Sequence, residues 1–161
     1  METKIDQFGI DLNLHHPSCD PQAITDALSL KPWFSAKQGE QIGSVTHKTA
    51  AWLCHFRKGT LDSEFDKALE DVVSLVSERE AFISAFVAQG GEIEVVLNST
   101  VETTGSKLFE LRLHSWFLKQ LAERSINLRL QVWAADSEEP TASRPPGRRV
   151  ATVLVTNSNP H

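Results

Sequence analysis

The sequence predicts an α+β protein in which helices cover one face of a mainly antiparallel sheet. Five segments alternate apolar and polar residues, which is typical of strands that have one face in water. Three other segments repeat apolar residues every three or four positions, which is typical of helices packed on a sheet. A chain of 161 residues can bury one sizeable core, so we expect a single domain over residues 1–135.

The first two predicted elements are a strand and a short helix. Apolar residues occupy every second position of the strand: Phe8, Ile10, Leu12 and Leu14. The helix begins after Asp20, whose carboxylate can accept free backbone N–H groups of the first turn. Pro21 fits the first helical position, which needs no N–H, and Pro32 ends the helical run soon afterwards.

A loop, a strand and the longest helix are predicted for the middle of the chain. Residues 35–49 have few apolar side chains and two glycines, which predicts a long loop. The strand that follows places three apolar residues on one side: Trp52, Cys54 and Phe56. A helical pattern extends from 62 to 89, and the capping-box spacing of Ser77 and Glu80 predicts a break within it. Its apolar stripe consists of Phe65, Leu69, Val72, Val76, Ile83 and Phe86.

The remaining elements complete a βαββαβ order. Strands are predicted over 93–97, 109–114 and 127–132, and a helix over 115–124. The first two of these strands most simply form an antiparallel hairpin. Together with the strand at Trp52 and its helix, this order is that of a ferredoxin-like unit, preceded by an extra strand and helix.

The last 26 residues differ in composition from the rest. Residues 136–161 contain proline and arginine clusters typical of a linker or tail. Residues 150–156 are β-prone, and they fit either an edge strand, in this molecule or a neighbour, or a disordered segment.

Several short motifs follow one another in the order of a known family. They are Asp20-Pro21, Ile24-Thr25, Leu28 and Leu30-Lys31-Pro32, then Lys37-Gln38-Gly39-Glu40 and Trp52, then Leu118, Leu121, Ala122, Leu128 and Leu130. With this order the chain resembles, from Phe8 to Trp133, a bacterial family catalogued as domain of unknown function 4279. The resemblance implies a fold. It implies no catalytic residue and no cofactor.

Composition narrows the function classes. The formal net charge of −5 argues against nucleic acid as the main partner, because affinity for phosphates comes from Lys and Arg. No segment has the length of a membrane span or the apolar core of a signal peptide, so we expect no membrane partner. Cys19 and Cys54 lie far apart without a Cys-x-x-Cys pattern, which favours reduced thiols and a cytoplasmic location.

The 35–49 loop is the predicted binding site. Trp33 and Phe34 at its start and Trp52 at its end offer an aromatic wall. Lys37, His47 and Lys48 offer charge for a small anionic ligand. The alternative is that the tryptophans are core residues and the lysines are solvated. We expect a non-catalytic binding module for a protein partner, a homodimer or a small ligand. The alternative function is a small enzyme with scattered catalytic residues.

Three further groups of residues have two interpretations each. His15, His55 and His114 have the parity of the open sheet face, where they could bind a metal, but a solvated face is the more common case. That face would also hold Arg57. Cys54 is either a nucleophile or, because it shares the parity of Trp52, a small core residue. Trp116 and Trp133 are either partner anchors or local packing. We expect no metal and no cofactor.

Overall fold

A computed structural model describes residues 7–61, 63–102, 111–135 and 148–155 of the chain. Its helices are α1 (Pro21–Leu28), α2 (Phe65–Glu78), α3 (Glu80–Ala88) and α4 (Ser115–Glu123). Its strands are β1 (Gln7–His16), β2 (Phe34–Ala36), β3 (Gln41–Ile42), β4 (Val45–Thr46), β5 (Ala50–Thr60), β6 (Glu92–Glu102), β7 (Asn127–Ala135) and β8 (Arg148–Val155).

Six of these strands form one sheet in the order β2-β5-β1-β6-β7-β8. All neighbouring strands are antiparallel except β6 and β7, which are parallel and joined through α4. The prediction of an α+β protein with a mainly antiparallel sheet is confirmed. None of the helices in the described ranges has both the length and the apolar character needed to cross a membrane.

The ferredoxin-like unit is not confirmed, because β1 and β6 are arranged differently from the prediction. β1, predicted as an extra strand that precedes the unit, lies between two strands of the unit and pairs with β5 on one edge and β6 on the other. The other edge of β6 pairs with β7, so β6 cannot also form the predicted hairpin with a strand over 109–114. Residues 109–110 lie outside the described part of the chain, and residues 111–114 form no strand. The alternation of apolar and polar residues here has another cause. Leu111 and Leu113 both pack against the core from a segment without regular secondary structure.

The core lies between the sheet and the helices. Alternate side chains of the central strands point into it, and every described helix contributes to the same cluster. The predicted apolar stripe of the long helix is buried throughout: Phe65, Leu69, Val72, Val76, Ile83 and Phe86. Helix α1 begins as predicted, since Asp20 accepts a hydrogen bond from the Gln22 backbone N–H at 2.9 Å and Pro21 is the first helical residue.

The long helix breaks where the sequence predicts, although the capping box does not form. Arg79 separates α2 from α3, and no side chain caps the first turn of α3. The Ser77 hydroxyl instead lies 3.3 Å from Nη2 of Arg124, just after α4. Arg124 also donates from Nε to Glu80 at 2.6 Å, so one guanidinium joins the ends of three helices.

A β-bulge in β5 places Arg57 on the helix side of the sheet, whereas strict alternation predicts it on the open face. Ile10 of β1 pairs with Arg57 and Asp11 pairs with His55, so Phe56 is the extra residue of β5. Beyond the bulge, Arg57 reaches the helix side of the sheet, where its Nε donates to Asp71 of α2 at 3.0 Å. The open face predicted from strict alternation therefore lacks Arg57.

Trp52 provides a test of the core. The residue is completely buried, and its Nε1 donates to the hydroxyl of Thr25 on α1 at 3.0 Å. Trp52→Ala should lower the free energy of unfolding by about 3–5 kcal/mol, measured by urea denaturation, because it leaves a large cavity. Trp52→Phe keeps most of the ring volume and should lose less. Equal urea midpoints for Trp52→Ala and the wild type would contradict this packing.

Asp71 provides a test of pH dependence. Hydrogen bonds from Lys67 at 2.6 Å and from Arg57 lower the pKa of its carboxyl. A depressed folded-state pKa adds stability above the unfolded pKa of about 3.9, and that stability is lost as the pH falls through the folded pKa. Asp71→Asn should therefore destabilise the protein at neutral pH, and its urea midpoint should approach that of the wild type below about pH 4.

Asp26→Asn is the matched control for this pH series. The Asp26 carboxylate accepts from the uncharged amide of Gln22 at 2.9 Å on the exposed side of α1. We expect it to lower the urea midpoint at neutral pH less than Asp71→Asn does, because its hydrogen-bond partner is uncharged. A constant difference between Asp71→Asn and the wild type down to about pH 2 would contradict the role of the ionised carboxylate.

Candidate functional site

The predicted 35–49 loop contains three short strands separated by turns. β2 pairs with β5, and β3 and β4 form a separate two-stranded hairpin. The base of the hairpin is closed by the Gly39 N–H, which donates to the His47 carbonyl at 2.7 Å, and by the His47 N–H, which donates to Glu40 at 2.9 Å. Gly39 and Gly43 take positive φ angles of 79° and 60°, which allow the chain to reverse twice within a few residues.

Four rings form a continuous strip along the β2 edge of the sheet, which we call the aromatic edge. Trp33 stacks on His55 with ring centroids 5.3 Å apart and an interplanar angle of 9°. Trp33 also contacts Phe34 at 5.9 Å, and Phe34 contacts His47 at 5.6 Å. Although the Trp33 backbone N–H donates to the Leu53 carbonyl at 2.9 Å, the residue is 57% exposed. Trp33 is therefore held in place without being a core residue.

The four residues predicted to form the site have different surroundings. Trp33 and His47 both contact Phe34 in the aromatic edge. Trp52, which the sequence also predicts in the aromatic wall, is instead completely buried in the core. The ammonium of Lys37 lies 3.6 Å from Asp20 at the start of α1, and Lys48 is exposed beside the hairpin. The two lysines thus lie near the aromatic edge in sequence but are not part of its ring contacts.

The open face of the sheet adjoins the aromatic edge through Asp11. Its Oδ1 lies 2.8 Å from Nδ1 of His55, and its Oδ2 accepts from Nδ2 of Asn98 at 2.9 Å. Both carboxylate oxygens are therefore occupied, and the Asp11 side chain is only 24% exposed. Asp11 and Asn98 were not predicted as site residues, and the only sequence signal for them is their parity on the strands.

A second charged pair lies on the same face. Arg129 of β7 and Glu94 of β6 are 3.1 Å apart, and the Glu94 side chain is mostly shielded from water. Val96 lies between Asp11 and Arg129 in the strand register and is buried. The middle of the open face is thus packed and charge-neutralised, whereas the Asp11–His55 side remains accessible through the exposed His55.

Gly9 leaves a gap in this face next to Asp11. It pairs with Lys58 on one side and Asn98 on the other, in the middle of the sheet. A Cβ built on Gly9 would meet only the Arg57 carbonyl and the Asn98 Cβ, each at 4.0 Å, and its φ is not positive. Neither backbone conformation nor internal packing requires a glycine here. Glycine inside a strand is often found where a ligand approaches the backbone.

The three histidines of the metal hypothesis are not brought together. His55 lies on the open face, but His114 precedes α4, where its Nε2 is 3.1 Å from Asp66 of α2. His114 was predicted on the open face, and it is elsewhere because residues 111–114 form no strand. His114 also stacks on Trp116 at 6.1 Å and 16°, which creates a second Asp–His–Trp cluster.

The chain belongs to the DUF4279 family. The family model, described as a domain of unknown function, matches residues 6–135. No curated protein and no solved structure matches the chain. The match covers the aromatic edge and the Asp11 side of the open face, so both lie within the family domain.

Cys54 of this DUF4279 domain lies on the helix side of β5, away from His55. It is buried, and its Sγ is 3.4 Å from the Lys31 carbonyl. Burial raises the pKa of its thiol, and the negative charge of Asp11 raises it further. A thiol with these properties is a poor nucleophile at neutral pH. The surroundings of Cys54 are those of a small core residue.

Gly9 allows a direct test of whether the gap serves folding. In this DUF4279 domain, Gly9→Ala should raise the free energy of unfolding by about 0.5–1 kcal/mol, because alanine fits and loses less backbone entropy. Gly91→Ala is the contrasting variant, since its Cβ would lie within 2.6 Å of the Phe86 ring and carbonyl and should destabilise. Thermal melts of both variants check this. A destabilised Gly9→Ala would mean that the fold itself requires the glycine.

Proposed function

We propose that this domain is a non-catalytic binding module whose ligand docks on the aromatic edge and the adjoining Asp11 side of the open face. The observation that carries the proposal is Trp33, which is 57% exposed although it is stacked on His55. Large aromatic residues usually bury most of their surface, and exposed ones held by other side chains are typical of recognition sites. The rings lie on or beside regular strands, which keep them in fixed positions.

The aromatic edge is a better candidate for the site than the cluster of Asp66, His114 and Trp116 at α4. Trp116 is less exposed, at 39%, and its neighbour His114 is paired with Asp66, whose side chain is 73% exposed. Water screens such a pair strongly, so its geometry is weakly enforced. Asp11, by contrast, is mostly shielded and held on both oxygens.

The ligand we propose is a small molecule with a planar ring. An indole and two imidazoles offer flat, partly exposed surfaces for stacking, which stabilises ring pairs by about 0.5–1.5 kcal/mol beyond the effect of buried area. The gap over Gly9 gives room for a substituent close to the backbone. Lys37 and Lys48, at the base of the hairpin, are proposed to contact an anionic group of the ligand if it carries one.

The Asp11–His55 pair favours one second candidate function. A carboxylate bonded to Nδ1 of an exposed histidine is the arrangement by which enzymes orient a general base. Under this alternative, the domain would chemically change the ligand bound at the aromatic edge. Mass spectrometry of a ligand identified for the site, after incubation with the protein, distinguishes the two functions. A binding module leaves the mass of the ligand unchanged, whereas an enzyme converts it to a product.

Fragment binding tests the proposed site. Phenol and anisole at millimolar concentration should shift the backbone amide resonances of residues 33–36 and 53–55 in ¹H–¹⁵N correlation spectra. Trp33→Ala should abolish these shifts, since it removes the stacking surface, and it should change stability little because the side chain is exposed. Gly9→Ala should weaken binding while keeping or raising the melting temperature.

Trp116→Ala is the matched control, because it also removes an exposed tryptophan stacked on a histidine. It should leave the fragment shifts unchanged. The proposal is overturned if neither fragment shifts the aromatic edge, or if Trp116→Ala reduces the shifts as much as Trp33→Ala.

A further inference from the structure

The hydrogen bonds of Asp11 determine which nitrogen of His55 carries the proton. An ionised carboxylate can only accept, so Nδ1 of His55, 2.8 Å from Oδ1 of Asp11, must carry a hydrogen. In a neutral imidazole the other nitrogen is then an acceptor. In the neutral ring, Nε2 of His55 is therefore an unprotonated acceptor.

Neighbouring side chains fix the direction of that acceptor. Asn98 donates to the second oxygen of Asp11 at 2.9 Å, which holds the carboxylate in place. Trp33 stacks nearly parallel on the His55 ring, which restricts its rotation. Nε2 has no hydrogen-bond partner among the residues that the structure describes, and the exposed ring opens it to a ligand.

We infer that the aromatic edge selects planar-ring ligands that carry a hydroxyl or N–H donor, which they donate to Nε2 of His55 while the ring contacts Trp33. The inference rests on the proposed function and adds the chemical class of the ligand. A ligand with an acceptor in this position would face the lone pair of Nε2 and lose the hydrogen bond. Asp11 acts here as a positioning residue, because it sets the tautomer without contacting the ligand.

The experiment compares phenol with anisole at about pH 8, where a phenolic hydroxyl keeps its proton. The two probes share a ring, and only phenol has a donor. In the wild type, phenol should bind about 2- to 12-fold more tightly than anisole, which corresponds to one net hydrogen bond. Titration of the amide shifts at residues 33–36 and 53–55 gives both dissociation constants.

Asp11→Asn tests the positioning role. Oδ1 of the new amide can accept from Asn98, which leaves its NH₂ group to donate to Nδ1 of His55 and so moves the imidazole proton to Nε2. The preference for phenol should then fall to within about 2-fold. Asp66→Asn makes the same change at the other histidine pair and should leave the preference intact. ¹⁵N spectra of the His55 ring should show protonated Nδ1 in the wild type and protonated Nε2 in Asp11→Asn.

The outcomes separate this inference from the proposed function. If phenol and anisole bind equally well to the wild type, the donor selection is wrong but the aromatic edge still binds rings. If the ring spectra show protonated Nε2 in the wild type, the tautomer assignment is wrong whatever the probes do. If neither probe binds, the proposed function fails, and the ligand class fails with it.

Discussion

The hydrogen bonding of β1 along both of its edges is the constraint on which the sheet depends. β5 and β6 run parallel to each other, and β1 lies between them, antiparallel to both. Even-numbered residues of β1 are buried against the helices, and odd-numbered ones such as Asp11 face the other way. Since side chains alternate with a period of two, a slip of one residue would exchange Asp11 with Leu12. The register of β1 therefore determines the core and the candidate site together.

Two tryptophans, one on β5 and one beside it, illustrate how differently the same residue type serves folding and recognition. Trp52 lies on the helix side of β5 and satisfies its N–H with Thr25, so its large surface stabilises the fold. Trp33 lies at the sheet edge, contacts the rings of Phe34 and His55, and keeps more than half of its surface in water. The first residue belongs to the packing of α1 on the sheet, and the second adds little to that packing. This division allows the site to be changed without loss of the core.

Burial separates the two Asp–His–Trp clusters. In both, a histidine stacks on a tryptophan and binds a carboxylate, with interplanar angles of 9° and 16°. Asp11 is supported by a further hydrogen bond from Asn98 on the neighbouring strand, whereas Asp66 is mostly solvated. A carboxylate held on both oxygens and shielded from water keeps its neighbour in one orientation. We therefore expect the His55 ring to keep one orientation and the His114 ring to vary in orientation.

The sequence by itself determined the elements whose signals are local. The period of two predicted β1, β5, β6 and β7, the apolar stripe predicted α2 and α3, and Asp20 with Pro21 predicted the start of α1. It also identified Trp33 and His47 as candidate site residues, because they flank or lie in a segment with little apolar character. The tertiary structure decided what depends on pairing between distant strands. It placed β1 in the middle of the sheet and turned Arg57 to the helix side through the bulge at Phe56. It also joined Asp11, His55 and Asn98 from three strands into one hydrogen-bonded group. No local pattern encodes such contacts, because they arise only when strands far apart in the chain adopt one register.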